Sequence, residues 1–292
     1  MTLTGVFVPL ITPFKDTGEV ARATLEALAH HLLADGATGL VALGTTGEPS
    51  SLTGAEQAAV IDVVAQVCRE REAALIVGAG TVPAVQALKN RPEVTAALSV
   101  VPPFVRAGEA GVEMYFRQLA AQSPVPLVVY HVPHRTAQEL SPDALRRIAE
   151  IPGVAGMKYS AGRIDADTVA LLNDLPDGFA VLGGDDVVLS PLLALGATGG
   201  ILASAHLATS RFARLVEAWR ADDVRTARPL GARLAPLSAA LFAGPNPTVI
   251  KAVLHACGRI PSPAVRLPLL PATAAPTENA LARLRELELA PA

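Results

Sequence analysis

Eight short apolar runs recur along the chain, and an amphipathic segment long enough for a helix follows each of them. The runs are Val6–Leu10, Leu40–Leu43, Leu75–Gly78, Ala96–Val101, Leu127–Tyr130, Val154–Lys158, Ala180–Leu182 and Gly200–Ala203. They are continuous rather than alternating, which is typical of strands buried on both faces of a parallel sheet. Eight such strand–helix units predict an α/β fold, the (β/α)8 TIM barrel.

Helical patterns fill the intervals between the runs. They cover Ala23–Leu33, Gly54–Arg71, Glu109–Gln122, Pro142–Ile151, Asp165–Leu175, Val187–Leu195 and Ser210–Ala221. Thr53 before Glu56 predicts a capping box, and Ser141 before Pro142 predicts a capped first turn. The uncharged stretch from Val187 to Ser210 is long enough to span a bilayer, but Pro191 and its glycines favour helix, turn and buried strand.

From Asp222 onward the chain has no strand pattern. Helices are predicted at Val224–Leu241, Thr248–Cys257 and Thr277–Leu289, separated by proline-rich loops. We therefore expect residues 1–221 to form a barrel that carries the active site, and residues 222–292 to form a C-terminal helical domain. No low-complexity linker separates the two parts, so the helical appendage should pack against the barrel.

Charge and cysteine content exclude several classes of function. The 24 basic and 27 acidic side chains give a net charge of −3, which does not suit a nucleic-acid-binding surface. Cys68 and Cys257 lie far apart, so we expect neither a disulfide scaffold nor a zinc site, and no metal. With no signal segment recognised, the chain is predicted to be cytoplasmic and to have no membrane partner.

Polar residues follow the predicted strands, where a barrel of this kind has its active site. Among the four lysines, only Lys158 ends an apolar run. Burial there disfavours an ammonium group and frees an amine for Schiff-base chemistry, although a structural lysine paired with a carboxylate has the same pattern. Tyr130 ends another run as a proton-transfer group or as an ordinary buried tyrosine.

Three further motifs leave alternatives open. Gly44-Thr45-Thr46-Gly47 either holds a carboxylate with its amides and hydroxyls or is an ordinary loop. Arg135 either binds a carboxylate through two parallel hydrogen bonds or lies on the surface. His131 and His134, with Asp185 and Asp186, lack a third ligand fixed by spacing, and the aspartates are better explained as caps of the following helix.

Taken in order, these motifs resemble the dihydrodipicolinate synthase / N-acetylneuraminate lyase family of pyruvate-dependent class I aldolases. The resemblance runs from Val8-Pro9-Leu10-Ile11-Thr12-Pro13-Phe14 to Arg266-Leu267-Pro268. Its anchors are Gly44-Thr45-Thr46-Gly47-Glu48, Tyr130-His131-Val132-Pro133, Gly156-Met157-Lys158, Gly183-Gly184-Asp185-Asp186 and Asn246-Pro247.

The resemblance implies a role for each matching residue. Lys158 would form an imine with pyruvate, Tyr130 would relay protons, and Thr45 would touch the tyrosine hydroxyl. Thr46 would bind the pyruvate carboxylate together with Thr45. Arg135 would bind the carboxylate of the second substrate. The backbone of Gly184 and Ile201 would line the lysine pocket. The covalent imine needs no cofactor, and the family implies a homotetramer built as a dimer of dimers.

The matches favour the lysine-biosynthetic branch, the 4-hydroxy-tetrahydrodipicolinate synthases, which condense pyruvate with the aldehyde aspartate semialdehyde. Three departures concern the second substrate. Phe104 replaces a tyrosine that in the synthases reaches the neighbouring subunit's site, Tyr159-Ser160 replaces Glu-Ala, and Thr81–Ala97 is about a helical turn short. The alternatives are a 2-keto-3-deoxy sugar-acid aldolase or dehydratase, an N-acetylneuraminate lyase-like enzyme, and a non-catalytic keto-acid-binding relative.

Overall fold

A computed structural model describes residues 3–289 and contains a closed barrel of eight parallel strands. The first strand pairs with the last, so that Phe7 lies beside Ile201 and the sheet has no free edge. All eight predicted strands are confirmed, as β1 Gly5–Pro9, β2 Gly39–Ala42, β3 Ala74–Gly78, β4 Val94–Val100, β5 Leu127–His131, β6 Val154–Tyr159, β7 Ala180–Gly183 and β8 Gly199–Ile201.

The helices alternate with the strands and then continue alone to the C-terminus. They are α1 Arg22–Ala34, α2 Gly54–Glu70, α3 Val82–Gln86, α4 Gly108–Gln122, α5 Pro133–Thr136, α6 Pro142–Ala149, α7 Ala166–Leu172, α8 Leu189–Ala194, α9 Ala205–Arg220, α10 Val224–Leu241, α11 Thr248–Ala256 and α12 Ala274–Leu289. Both predicted caps are confirmed. The Glu56 amide donates to the Thr53 hydroxyl over 3.2 Å, and the Ala144 amide donates to the Ser141 hydroxyl over 3.2 Å.

The helices differ from the sequence-based expectation in two main respects. α9 begins at Ala205 instead of Ser210, because its first turn is separated from the regular helix by a kink at Ala208. The short helices α3 and α5 were not predicted, since each is only a turn or so long and carries a proline in its first turn. Within residues 3–289 no helix is long and apolar enough to cross a membrane.

Alternation along the strands divides the core into two layers. Inward-facing side chains such as Ile76, Val128 and Leu182 fill the barrel, while Met157 and its outward-facing neighbours pack under the helices. Lys158 alternates with Met157 and therefore faces the barrel interior.

The C-terminal helices extend the outer layer of the core. Leu234 of α10, Val253 of α11 and Leu284 of α12 belong to the same buried cluster as the residues between the barrel and its helices. As expected, the appendage packs against the barrel. A division into two domains at residue 221 stays a prediction.

Candidate active site

Strand register brings the two best candidate residues together at the mouth of the barrel. β5 and β6 pair so that Tyr130 lies directly beside Lys158. The Lys158 Nζ atom is 4.4 Å from the centroid of the Tyr130 ring. Both side chains are buried, with 7% and 8% of their surface exposed. An amine and a phenol are thus adjacent in a place largely screened from water, which suits proton transfer during imine formation.

The two residues open into a cavity of about 90 Å³, room for a single small molecule. Every site residue predicted to bind or react with substrate lines this cavity, with Arg135 exposed at its rim. The full lining is Thr45, Thr46, Tyr130, His134, Arg135, Lys158, Ser160, Gly184, Asp185, Asp186, Ile201, Ala203, Phe242 and Asn246.

A larger groove of about 600 Å³ lies at the opposite end of the barrel, where Thr4, Gly5 and Thr38 contribute to its wall. Neither a lysine nor a tyrosine lines it. We take the smaller cavity as the candidate active site, because Lys158 and Tyr130 line it and because active sites of this fold lie at the carboxyl ends of the strands.

The turn after β2 is held in an unusual backbone conformation. Leu43 before it and Glu48 after it both have φ of 55°, the left-handed region, which costs about 1–2 kcal/mol for a residue with a side chain. A Cβ on Gly78 would lie 2.1 Å from the Leu43 carbonyl oxygen, so β3 needs glycine there. Strain of this kind persists only where the surroundings fix it.

Two hydrogen bonds fix this turn from other parts of the chain. The Thr12 hydroxyl, which follows β1, donates to the Gly47 carbonyl over 2.7 Å. The side-chain amide of Asn246 donates to the Thr46 hydroxyl over 3.0 Å. Since the Thr46 oxygen already accepts this bond, its own proton is available to a carboxylate in the cavity. Thr45 is more exposed and lies next to it on the wall.

The Gly184 position needs the absence of a side chain. A Cβ there would lie 2.6 Å from Lys158 Cε and 2.1 Å from Ser160 Oγ. The Gly184 amide donates to the Tyr159 carbonyl over 2.8 Å, which holds the loop after β7 against β6. Glycine therefore lets this backbone form the wall of the lysine pocket, as the family resemblance implies.

The expected capping role of Asp185 and Asp186 is wrong. Neither carboxylate caps the turn that follows, because both accept amide protons from distant loops instead. Asp185 accepts from Gly162 and Asp186 accepts from Ser204, each over 2.6 Å. Burial raises the pKa of Asp186 to about 6 and also raises the pKa of Asp185. These carboxyl groups form the β7–β8 side of the cavity wall.

The segment after Lys158 departs from the synthase pattern in two different ways. The Tyr159 side chain lies in the outer layer, where its hydroxyl is 3.1 Å from the Thr168 hydroxyl, so it does not alter the acceptor side of the cavity. Ser160 faces the cavity, and its buried hydroxyl has no hydrogen-bond partner among residues 3–289. Of the two replaced residues, only Ser160 therefore lines the cavity.

His131 and Phe104 lie outside the cavity, whereas His134 contributes to its lining. His131 is buried beside Tyr159, with ring centroids 5.8 Å apart, and burial lowers its pKa to about 4. Among residues 3–289 no group of three or more His, Cys, Asp or Glu side chains is placed to hold a metal ion. Phe104 is 90% exposed on the loop after β4 and does not line the cavity.

Sequence analysis gave no role to two residues that shape the site, Asn246 and Lys251. Ser160 was noted only as part of a replaced segment, although its position two residues after Lys158 places it on the same side of the strand. Asn246 and Lys251 carry no such local signal, since their partners Thr46 and Glu48 are 200 and 203 positions away.

Comparisons with known proteins agree with this geometry. The model of the dihydrodipicolinate synthetase family matches residues 2–286. The 4-hydroxy-tetrahydrodipicolinate synthase of Neisseria meningitidis serogroup B is 36% identical over 97% of both chains. The enzyme of the same name from Synechococcus elongatus is 36% identical over 97% of this chain and 96% of its own.

Solved structures show the same architecture from end to end. The dihydrodipicolinate synthase of Thermotoga maritima has a TM-score of 0.94 at 27% identity, covering 99% of this chain and 100% of that one. A chloride-inhibited dihydrodipicolinate synthase from Acinetobacter baumannii, solved with pyruvate, has a TM-score of 0.93 at 32% identity over the same shares. With a family match along nearly its whole length and a lysine–tyrosine pair at the barrel mouth, the chain belongs to the dihydrodipicolinate synthetase family.

Proposed function

We propose that this enzyme is a 4-hydroxy-tetrahydrodipicolinate synthase, a Schiff-base lyase that condenses pyruvate with aspartate semialdehyde. The observation that carries the proposal is the position of Lys158 Nζ, 4.4 Å from the Tyr130 ring inside a cavity walled by threonine hydroxyls. The relatives named above are synthases, so the sugar-acid aldolase and the sialic-acid lyase are not favoured.

The first step is imine formation. The Lys158 amine attacks the ketone carbon of pyruvate, and the carbinolamine then loses water to give the imine. The Tyr130 phenol donates a proton to the departing hydroxyl and recovers one from the amine. Thr45 and Thr46 donate hydrogen bonds to the pyruvate carboxylate, which orients the ketone toward Lys158. No metal or organic cofactor takes part in this scheme.

The second step forms the carbon–carbon bond. Transfer of a methyl proton to the imine nitrogen converts the imine to an enamine, whose terminal carbon attacks the aldehyde of aspartate semialdehyde. The resulting alkoxide takes a proton from Tyr130. The amino group of the adduct then attacks the imine carbon, closes the ring and releases Lys158. Arg135, exposed at the rim, is the proposed partner of the second substrate's carboxylate.

Phe104 limits the proton relay in this scheme. Because it has no hydroxyl, a neighbouring subunit's Phe104 cannot pass a proton to Tyr130, and a water molecule must take that place. Assembly as a homotetramer, a dimer of dimers, is part of the proposal and rests on the family resemblance, whereas the proposed location in the cytoplasm rests on the amino-acid sequence. The boundary at residue 221 belongs to the proposal as well.

Borohydride reduction in the presence of pyruvate tests the covalent step. Intact mass and peptide mapping should find one reduced pyruvate adduct, confined to the peptide that contains Lys158. Lys158→Ala should abolish the adduct, whereas Lys89→Ala, which removes an exposed lysine, should leave it unchanged. A folded enzyme without any adduct would refute the aldolase chemistry and support a non-catalytic relative that only binds keto acids.

A coupled assay then identifies the acceptor. We expect consumption of aspartate semialdehyde, and a KM for it that rises in Arg135→Ala by about tenfold or more, as for loss of a charge-assisted hydrogen bond. Turnover of 2-keto-3-deoxy sugar acids that is unaffected by Arg135→Ala, with no consumption of the semialdehyde, would identify the enzyme as the sugar-acid aldolase.

A further inference from the structure

We propose that Lys251 and Glu48 form a positioning pair through which the C-terminal segment holds the Thr45–Gly47 turn in its substrate-binding conformation. The inference rests on the proposed function, because the turn is assigned there to the pyruvate carboxylate. Neither Lys251 nor Glu48 lines the cavity, so the pair acts through the turn and touches no substrate.

The pair is buried and fully engaged. Lys251 Nζ donates to Glu48 Oε1 over 2.6 Å and to the Ala264 carbonyl over 2.8 Å. The Lys251 side chain is 0% exposed and that of Glu48 is 2% exposed. The ammonium also lies 4.0 Å from the centroid of the Phe14 ring, a favourable cation–π arrangement. Burial lowers the pKa of Lys251 to about 8, so the ammonium form still dominates at neutral pH.

Glu48 is held from two sides by the same stretch of chain. Its second oxygen, Oε2, accepts the backbone amide of Arg266 over 2.9 Å. The Arg266 guanidinium donates to the Ser51 carbonyl over 2.9 Å and also pairs with Glu56 at the start of α2. Residues 251–266 therefore bind the loop between β2 and α2 at Glu48 and Ser51 and hold the first turn of α2 at Glu56.

Glu48 transmits this constraint directly to the turn. Its amide donates to the Thr45 carbonyl over 3.2 Å, and its own left-handed φ of 55° ends the turn. An unsupported segment would leave that conformation, because a residue with a side chain is strained there. With the pair broken, the Thr45 and Thr46 hydroxyls lose their fixed positions. Tyr130 on β5 and Lys158 on β6 keep theirs.

This division separates a positioning role from a merely structural one. If the pair positions the turn, its loss weakens pyruvate binding and leaves the covalent chemistry of bound pyruvate intact. A structural role would lower the unfolding temperature and leave the affinity of the folded fraction for pyruvate unchanged.

The test compares Lys251→Met and Glu48→Gln with the wild type. Arg283→Met is the matched control, since it removes an exposed ion pair, that of Arg283 with Glu286, within the same C-terminal region. For each protein we would measure the pyruvate concentration that gives half-maximal borohydride trapping at Lys158. We would also measure the KM for pyruvate, the kcat at saturating pyruvate, and the temperature of thermal unfolding.

We expect the half-saturating pyruvate concentration and KM to rise about tenfold to hundredfold in Lys251→Met and Glu48→Gln, with kcat changed by less than about threefold. Lys251→Arg, which keeps the positive charge, should bring the concentration back toward the wild-type value, and Arg283→Met should match the wild type.

Each other outcome has one meaning. Unchanged half-saturation in Lys251→Met and Glu48→Gln, with trapping intact in the wild type, would overturn the inference alone. Absence of trapping in the wild type would overturn the proposed function and the inference with it. If Lys251→Met does not fold, Glu48→Gln, which keeps an acceptor for the Arg266 amide, decides between the two roles.

Discussion

His206 should make the fold sensitive to acid. The residue is fully buried in the first turn of α9. Its Nε2 atom accepts the Ile11 backbone amide over 3.2 Å, so that nitrogen carries no proton. The other nitrogen, Nδ1, lies 2.8 Å from the Ala203 carbonyl and donates to it. The imidazole is therefore neutral, with one defined tautomer, and a second proton would displace the Ile11 amide.

The size and sign of the effect follow from the pKa. Burial lowers the pKa of His206 from 6.5 to about 4. Between those values the unfolded chain binds a proton that the folded protein excludes, so the free energy of unfolding falls as pH falls through this range. A pKa change of this size corresponds to about 3 kcal/mol, a large part of the stability of an ordinary domain.

Urea unfolding at fixed protein concentration, followed from neutral pH down to about pH 4, measures this contribution. In His206→Gln the amide oxygen can still accept the Ile11 amide but does not titrate. We expect this variant to be less stable at neutral pH and to lose about 3 kcal/mol less than the wild type on acidification. Part of the slope should remain, because burial also lowers the pKa of His131 to about 4.

His31→Gln, on the exposed side of α1, is the control for replacing a histidine elsewhere. The free energy of unfolding of this variant should change with pH as that of the wild type does. If the wild type and His206→Gln lose stability in parallel between pH 6.5 and pH 4, His206 does not carry the proton linkage, and the tautomer argument is wrong.

Two further changes act on the site. In Gly184→Ala the new Cβ would lie 2.6 Å from Lys158 Cε. Pyruvate trapping by borohydride should therefore fall about 100-fold while the circular dichroism spectrum stays native. Unchanged trapping would contradict the close approach. Phe104→Tyr places a phenol on a side chain that is 90% exposed, so stability should change by less than about 0.5 kcal/mol. If a partner subunit's loop completes the relay, kcat should rise about tenfold in the steady-state assay, and an unchanged kcat would show that water already serves.

Sequence alone predicted the barrel because its strands are buried on both faces. Such burial produces an uninterrupted apolar run in the strand itself, for example at Val128 and Val129, and needs no knowledge of partners. Lys158 could be singled out for the same reason, since a charged residue at the end of a buried strand stands out against its neighbours. Tyr130 then followed from its equivalent place on the adjoining strand.

The rest of the site depends on contacts between distant parts of the chain. Asp185 and Asp186 were expected to cap a helix, the commonest use of aspartate before a helical segment. Their real partners, the amides of Gly162 and Ser204, become neighbours only when β7 pairs with β6 and β8. The start of α9 was misplaced because a non-helical residue, Ala208, separates its first turn from the regular helix, so that this turn does not continue the helical period of the residues after it.

The cavity therefore has two halves that different physical constraints hold in place. Lys158 and Tyr130 are fixed by the register of β5 and β6 inside a closed sheet, where a shift of either residue would disturb the strand pairing. The Thr45–Gly47 turn lies beyond the end of β2, outside the sheet. Because its backbone is strained, it needs contacts from Thr12, Asn246 and the Lys251–Glu48 pair. Substitutions in the first half should change the rate of imine formation, whereas those in the second half should change the affinity for pyruvate. The C-terminal segment then helps to form the proposed pyruvate site, since two of the three contacts on the turn originate from residues 246–266.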